Sequence, residues 1–291
     1  MRCYPLRCLC DLMSFASKSE RLNKSPFNST RDSSYDPAYF ARLFALEERH
    51  FWFRSRTHVI STLARQLTQH LTPGYRVLEV GCGTGNVLHS LEQTCMRGIV
   101  VGLEFFWEGL QCARQRTNCF LVQGDVHSLP FRTSFELIGL FDVLEHLRDD
   151  QQVLDNLHIL LAPKGALLLT VPAHPFLWSY FDEASHHVRR YKRTELENKI
   201  ARAGFEIEYL TPYMASIFPL VWLKRRLLVR RYRQTCAGDT ARASDLTASE
   251  LRVTPVLNGL LSFLLTQECR LIARRGHLPI GTSLLAIARK Q

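Results

Sequence analysis

The stretch VLEVGCGTG, residues 77–85, sets one acid and three glycines at the end of an apolar run. Glycine weakens regular structure, so Gly81, Gly83 and Gly85 at alternate positions imply a sharp backbone bend or the close approach of a ligand. The spacing is GxGxG, not the GxGxxG of a dinucleotide loop. Glu79, two residues before the first glycine, would repel a phosphate and would attract a ligand carrying a positive amino group. A second group of reactive side chains lies in FDEASHHVRRYKR: Asp182, His187, Arg190 and Tyr191. There His187 could accept a proton and Arg190 could hold an acidic substrate group.

These residues need elements to position them. Strand-like apolar runs lie at 76–81, 98–104, 119–124, 135–141 and 165–171, with helical segments at 85–95, 107–116 and 149–161 between them. Strands alternating with helices of this length imply right-handed crossovers and a parallel sheet, and runs apolar on both faces suit a sheet covered on both sides. Residues 35–70 read as helical, up to Pro73-Gly74. Beyond 172 the chain reads as a loop, then a helix at 194–203 ended by Gly204, and strands at 205–211 and 283–289.

With that context VLEVGCGTG resembles the first motif of class I S-adenosylmethionine-dependent methyltransferases. VVGLE, LVQGDVHSLPF, FELIGLFDVLEHL and LLAPKGALLLTVP follow in the order and spacing of that family over roughly residues 75–172. The resemblance implies an α/β fold, a Rossmann-like seven-stranded, mostly parallel sheet with helices on both faces, and S-adenosylmethionine as cofactor. It implies that Glu104 accepts both ribose hydroxyls, as a carboxylate can, and that Asp125 and Val126 meet the adenine. Glu79, Gly81, Cys82, Gly83 and Gly85 of the glycine loop, with Phe105 and Phe141, complete the expected cofactor contacts.

Methyl transfer draws much of its rate from bringing donor and acceptor together in a dry pocket, and needs a base when the acceptor must lose a proton. Asp142, Glu145 and His146 share one turn and resemble a loop of ubiquinone-pathway O-methyltransferases that has been linked to a divalent metal; no metal is assigned here. The segment around His187, Arg190 and Tyr191 resembles a His-x-x-Arg-Tyr signature of a subset of these enzymes. His187, Asp142, Arg190 and Tyr191 are therefore the candidate catalytic residues. HFWFRSR, 50–56, is expected to close the pocket with Phe51, Trp52 and Phe53.

Bulk properties bound the rest. The 291 residues are 46% apolar and 22% charged, as in an ordinary globular protein, with a net charge of +10. From 216 to 276 there are eleven Lys and Arg against four Asp and Glu, so most of the excess charge sits there. The segment alternates apolar runs with Arg, a pattern suited to an anionic membrane surface or to a helical cap; nucleic acid is the weaker partner, because no RNA-binding module is visible. No stretch reaches the roughly 18 uninterrupted apolar residues of a spanning helix. Nine cysteines without a CxxC pair suit reduced thiols in the cytoplasm. The expected organisation is a disordered tail (1–34), a helical lid (35–71), a cofactor-binding core (72–213), a basic apolar insertion (214–278) and a final strand (279–291). The expected activity is methylation of a small-molecule or lipid-like acceptor, at oxygen or else carbon. A tRNA or protein methyltransferase and a non-catalytic cofactor-binding scaffold are the alternatives. Oligomeric state is left open.

Overall fold

The structure, a computed structural model, describes residues 38–235 and 255–291. The tail expected at 1–34 and the middle of the insertion lie outside the described residues. Two helices open the described residues, α1 (Ala38–Glu47) and α2 (Phe51–Thr68). The segment expected to be helical throughout breaks at a turn, where His50 takes an extended conformation and its side chain caps α2 by accepting from Trp52 N–H.

Seven strands follow: β1 (Arg76–Val80), β2 (Ile99–Glu104), β3 (Phe120–Gln123), β4 (Phe135–Phe141), β5 (Leu161–Pro172), β6 (Phe205–Tyr213) and β7 (Ser283–Lys290). Between the first five run α3 (Asn86–Thr94), α4 (Trp107–Arg116) and α5 (Asp150–Leu160). Next come a short α6 (Tyr180–Ala184), α7 (Arg193–Arg202), α8 (Phe218–Thr235) and α9 (Pro255–Ala273). The sheet order is β3-β2-β1-β4-β5-β7-β6, parallel except for β7, which runs antiparallel to both neighbours. Strand order reverses between β1 and β4, and ligands bind outside the carboxyl ends of the strands at such a point.

Side chains alternate between two cores. Val77, Leu168, Leu285 and Ile287 join α2, α3 and α9 on one face. Leu78, Val80, Leu167, Leu169 and Leu284 join α5 and α7 on the other. The insertion is therefore partly core: Leu261, Leu265, Cys269 and Ile272 of α9 are buried with Ile60 and Leu63 of α2.

Two expectations needed correction. β5 starts at Leu161, earlier than expected, and turns at Lys164, whose φ is +62°. The stretch after 172, expected to be a loop, contains α6, held by a capping box in which Ser179 and Asp182 satisfy each other's backbone N–H groups.

Candidate active site

The glycine loop leaves β1 and enters α3 in left-handed backbone. Gly85, at φ +77°, begins the helix, and a Cβ there would lie 2.8 Å from the Cα of Ala113 on α4. Gly83, at φ +51°, differs in that a Cβ would meet nothing within 4 Å, so its outer side is open. Cys82, just before Gly83, is buried, and burial pushes its thiol up, away from nucleophilic character.

Two carboxylates flank this opening. Glu104 ends β2 and is buried; its Oε2 accepts Gly83 N–H at 2.8 Å and its Oε1 accepts Phe106 N–H at 2.9 Å. Glu79 lies in register with Gly102 and Gly139 and shares the face of Val77, beneath α2. It is 3% exposed, and its Oε2 has no hydrogen-bond partner among the described residues. Burial raises its pKa well above the usual carboxylate range, against the opposing charge of Arg56.

The remaining expected cofactor residues ring the same sheet edge. The half-exposed Asp125 closes a turn through Oδ1, which accepts from His127 N at 2.9 Å and meets His127 Nδ1 at 2.8 Å. Val126 is buried beside it. Phe105 is largely exposed and stacks edge-on with Phe106. Phe141 is buried at the end of β4.

The N-terminal helices are fastened over this edge by charge rather than by the aromatics alone. Glu47 of α1 accepts from Thr84 Oγ1 in the glycine loop and from Arg116 of α4. Arg116 also donates to Phe44 O at 2.6 Å. From α2, Arg56 pairs with Asp142 at 2.6 Å and donates to Phe141 O at 2.8 Å. Asp142 thus stands at the reversal point with φ +54°, its carboxylate on Arg56. Phe51 and Phe53 are buried, and Trp52 lies 5.4 Å from the Arg56 guanidinium. Sequence reading missed Glu47, Arg56 and Arg116, because ion pairs between residues 69 and 86 positions apart leave no local pattern.

The second cluster lies at the ends of β4 and β5. Asp182 is fully buried and accepts from Arg190 Nε at 2.6 Å and Ser179 N–H at 2.9 Å; His187 Nδ1 lies 3.0 Å away and Arg225 Nη1 3.4 Å away. Burial alone would raise Asp182, but His187, Arg190 and Arg225 hold it at about 2. With Nδ1 on Asp182, the Nε2 of His187 faces Glu145 Oε1 at 3.9 Å. Glu145 is buried and neither of its oxygens has a hydrogen-bond partner among the described residues. His146 packs edge-on against His187, rings 4.8 Å apart. Glu145, His146 and His187 could hold a metal ion, their ligand atoms lying within 4.8 Å of one another. Asp142, the first acid of the turn that carries Glu145 and His146, is engaged by Arg56.

Arg190 and Tyr191 spend their polar groups internally. Arg190 also donates to Ala173 O at 2.9 Å. Tyr191 is fully buried, its hydroxyl on Asp150 at 2.8 Å, where Arg189 and Lys199 converge as well. Both residues brace the loop that carries His187.

The residues fit a donor with a cationic amino group and a sugar diol. Glu79 offers an unpartnered buried oxygen, Glu104 is fixed by two backbone amides, and Gly83, held by Glu104, is open on its outer side.

Comparison with known proteins agrees. A family model described as a methyltransferase domain matches residues 42–210. A Mycolicibacterium smegmatis protein named "Probable S-adenosylmethionine-dependent methyltransferase" is 29% identical over 167 residues, 56% of this chain and 62% of its own. Trans-aconitate 2-methyltransferase of Deinococcus radiodurans is 32% identical over 130 residues, 44% of this chain and 47% of its own. The chain thus spans about half to three-fifths of these relatives' lengths. The structure of Haemonchus contortus phosphoethanolamine N-methyltransferase 2 in complex with S-adenosyl-L-methionine superposes with a TM-score of 0.54 at 17% identity, over 90% of this chain and 59% of that one, a likeness of fold. The chain belongs to the methyltransferase-domain family.

Proposed function

We propose that this protein transfers the methyl group of S-adenosylmethionine to an oxygen of a small-molecule or lipid-like acceptor. The observation that carries the reading is the open Gly83 backbone with an anchored Glu104 and an unpartnered Glu79. When bound, the cofactor supplies an electrophilic methyl group on a sulfonium, open to in-line displacement. Glu104 takes the ribose hydroxyls on the lone pairs its two amide donors leave free, and Glu79 pairs with the amino group. Asp125 and Val126 receive the adenine. The α1 and α2 lid, latched by Glu47 and Arg56, keeps water out.

His187 is assigned as the residue that takes the acceptor's proton. Asp182 holds Nδ1–H, which leaves Nε2 as the acceptor and stabilises the charged ring that results. Arg190 and Tyr191 are positioning residues for that loop. A carboxylate acceptor, such as the trans-aconitate named for the Deinococcus relative, arrives ionised and asks for no base; a hydroxyl acceptor does. The need for His187 therefore distinguishes the two chemistries.

The test has two steps. Calorimetry measures cofactor binding, with Gly83→Arg as the control that fills the open side. Transfer of radiolabelled methyl groups is then followed into total lipid, small-molecule, RNA and protein extracts. Label in the lipid or small-molecule fraction supports the reading, label in RNA or protein overturns the acceptor assignment, and failure to bind cofactor overturns the whole.

A further inference from the structure

The outer faces of α8 and α9 have a composition that solvent does not explain. Each helix is apolar on two sides, and a helix apolar all round is ordinarily buried. Ile217, just before α8, and Val221 on it face inward, and Arg225 reaches Leu177 O and Asp182. Leu220, Leu223 and Leu227 form an outward row at i, i+3 and i+7, with Leu227 63% exposed. On α9, Leu261, Leu265, Cys269 and Ile272 are buried, while Leu257, Leu260, Leu264 and Leu271 repeat on the outer side beside Phe263, itself 60% exposed. Exposed apolar rows of this extent mark an interaction surface.

Charge identifies the partner. The same segment holds eleven basic and four acidic residues, and Arg226 lies 5.1 Å from the ring of the exposed Trp222, an amphipathic pair suited to the level of lipid head groups. A second copy of this chain would bring like charges face to face. RNA would neutralise the arginines and give the leucines nothing to bury against. No helix among the described residues is long and apolar enough to cross a membrane.

We propose that the outer faces of α8 and α9 dock this protein onto an anionic lipid bilayer, leucine, phenylalanine and tryptophan entering the interface and arginine meeting the head groups. The inference is independent of the donor cradle, to which neither helix contributes a residue.

Flotation of the full chain with two vesicle compositions tests it: phosphatidylcholine alone, and phosphatidylcholine with phosphatidylglycerol in equal parts. The chain should float with the second and not the first, and less in high salt. Leu260→Ser/Phe263→Ser should weaken binding by roughly tenfold or more. Arg226→Glu, which leaves the leucines in place, should also weaken it. Unchanged cofactor affinity by calorimetry certifies each variant as folded. The proposal is overturned by equal flotation with both compositions or with neither, by variants that float like the parent, or by a concentration-dependent dimer that Leu260→Ser/Phe263→Ser dissolves. A chain that floats but binds no cofactor would sink the methyl-transfer reading and leave this one standing.

Discussion

Glu104 Oε2 accepts the backbone N–H of Gly83 at 2.8 Å, so the carboxylate at the end of β2 holds the glycine loop of β1 in shape before any ligand arrives. The same carboxylate takes Phe106 N–H through its other oxygen. Glu104→Gln keeps one acceptor and sets an amide N–H against a backbone donor. A lost charge-assisted hydrogen bond is worth about 1.5–3 kcal/mol, so cofactor affinity in Glu104→Gln should fall roughly tenfold to a hundredfold. Calorimetric titration with S-adenosylmethionine checks this, and an affinity equal to the parent's would remove Glu104 from the cradle.

Arg56 and Asp142 join α2 to the end of β4. Removing one partner of a buried pair leaves the other uncompensated, at roughly 3–5 kcal/mol when burial is complete; these side chains are 11% and 18% exposed, so about half of that is expected. Asp142→Asn is the suitable partner variant, because asparagine tolerates the φ of +54° that Asp142 adopts. Arg56→Ala and Asp142→Asn should each destabilise the fold. The double variant should cost less than their sum by about 1 kcal/mol or more. Denaturant unfolding of all four proteins measures the coupling; strict additivity would mean that the two side chains do not act as a pair.

Much of the sheet was legible because parallel strands covered on both faces read as continuous apolar runs, and Ile138–Phe141 and Ala166–Leu169 are such runs. Gly204, at φ +87°, was legible for a local reason, since a left-handed residue just past a helix favours glycine. Asp182 was named as a proton-cluster residue, but Ser179 three positions earlier, a visible capping signature, went unread, and α6 was missed with it. Glu47 and Arg56 were beyond reach. Their partners Arg116 and Asp142 are brought to them by the crossovers of the sheet, and aromatic residues in HFWFRSR drew the functional reading while the arginine made the connection.

The role of His187 predicts a pH signature as well as a loss of rate. A general base contributes about a hundredfold to ten-thousandfold, so His187→Ala should lose about that much in kcat on a hydroxyl acceptor while binding cofactor normally. The acid limb of the parent's kcat profile should vanish in the variant. Asp182→Asn should move that limb, since it takes the charge from the carboxylate that holds His187 Nδ1. A parent-like profile in His187→Ala would point to an acceptor that arrives ionised.

Acid should unfold this protein in two separate windows. Burial lowers His50 to about 4, and burial followed by the neighbouring His187 lowers His146 to about 3. The unfolded chain protonates both near pH 6.5, the folded chain does not, and so their contribution to stability falls as pH drops below about 6.5. Each group contributes about 1.4 kcal/mol per pH unit, opposed in the same range by buried Glu79, Glu104 and Glu145, whose raised pKa values make the folded chain bind protons more readily than the unfolded one. Asp182, held at about 2, has the opposite origin: its ionised form is stabilised, and that contribution, about 2 kcal/mol, is lost only below about pH 4. His50→Asn separates the effects, because asparagine keeps an acceptor for Trp52 N–H and cannot titrate. Denaturant unfolding at pH 7, 6 and 5 should show the variant losing less stability than the parent, by about 1.4 kcal/mol per pH unit below pH 6.5. Equal losses in the two proteins would mean that His50 takes up its proton in the folded state.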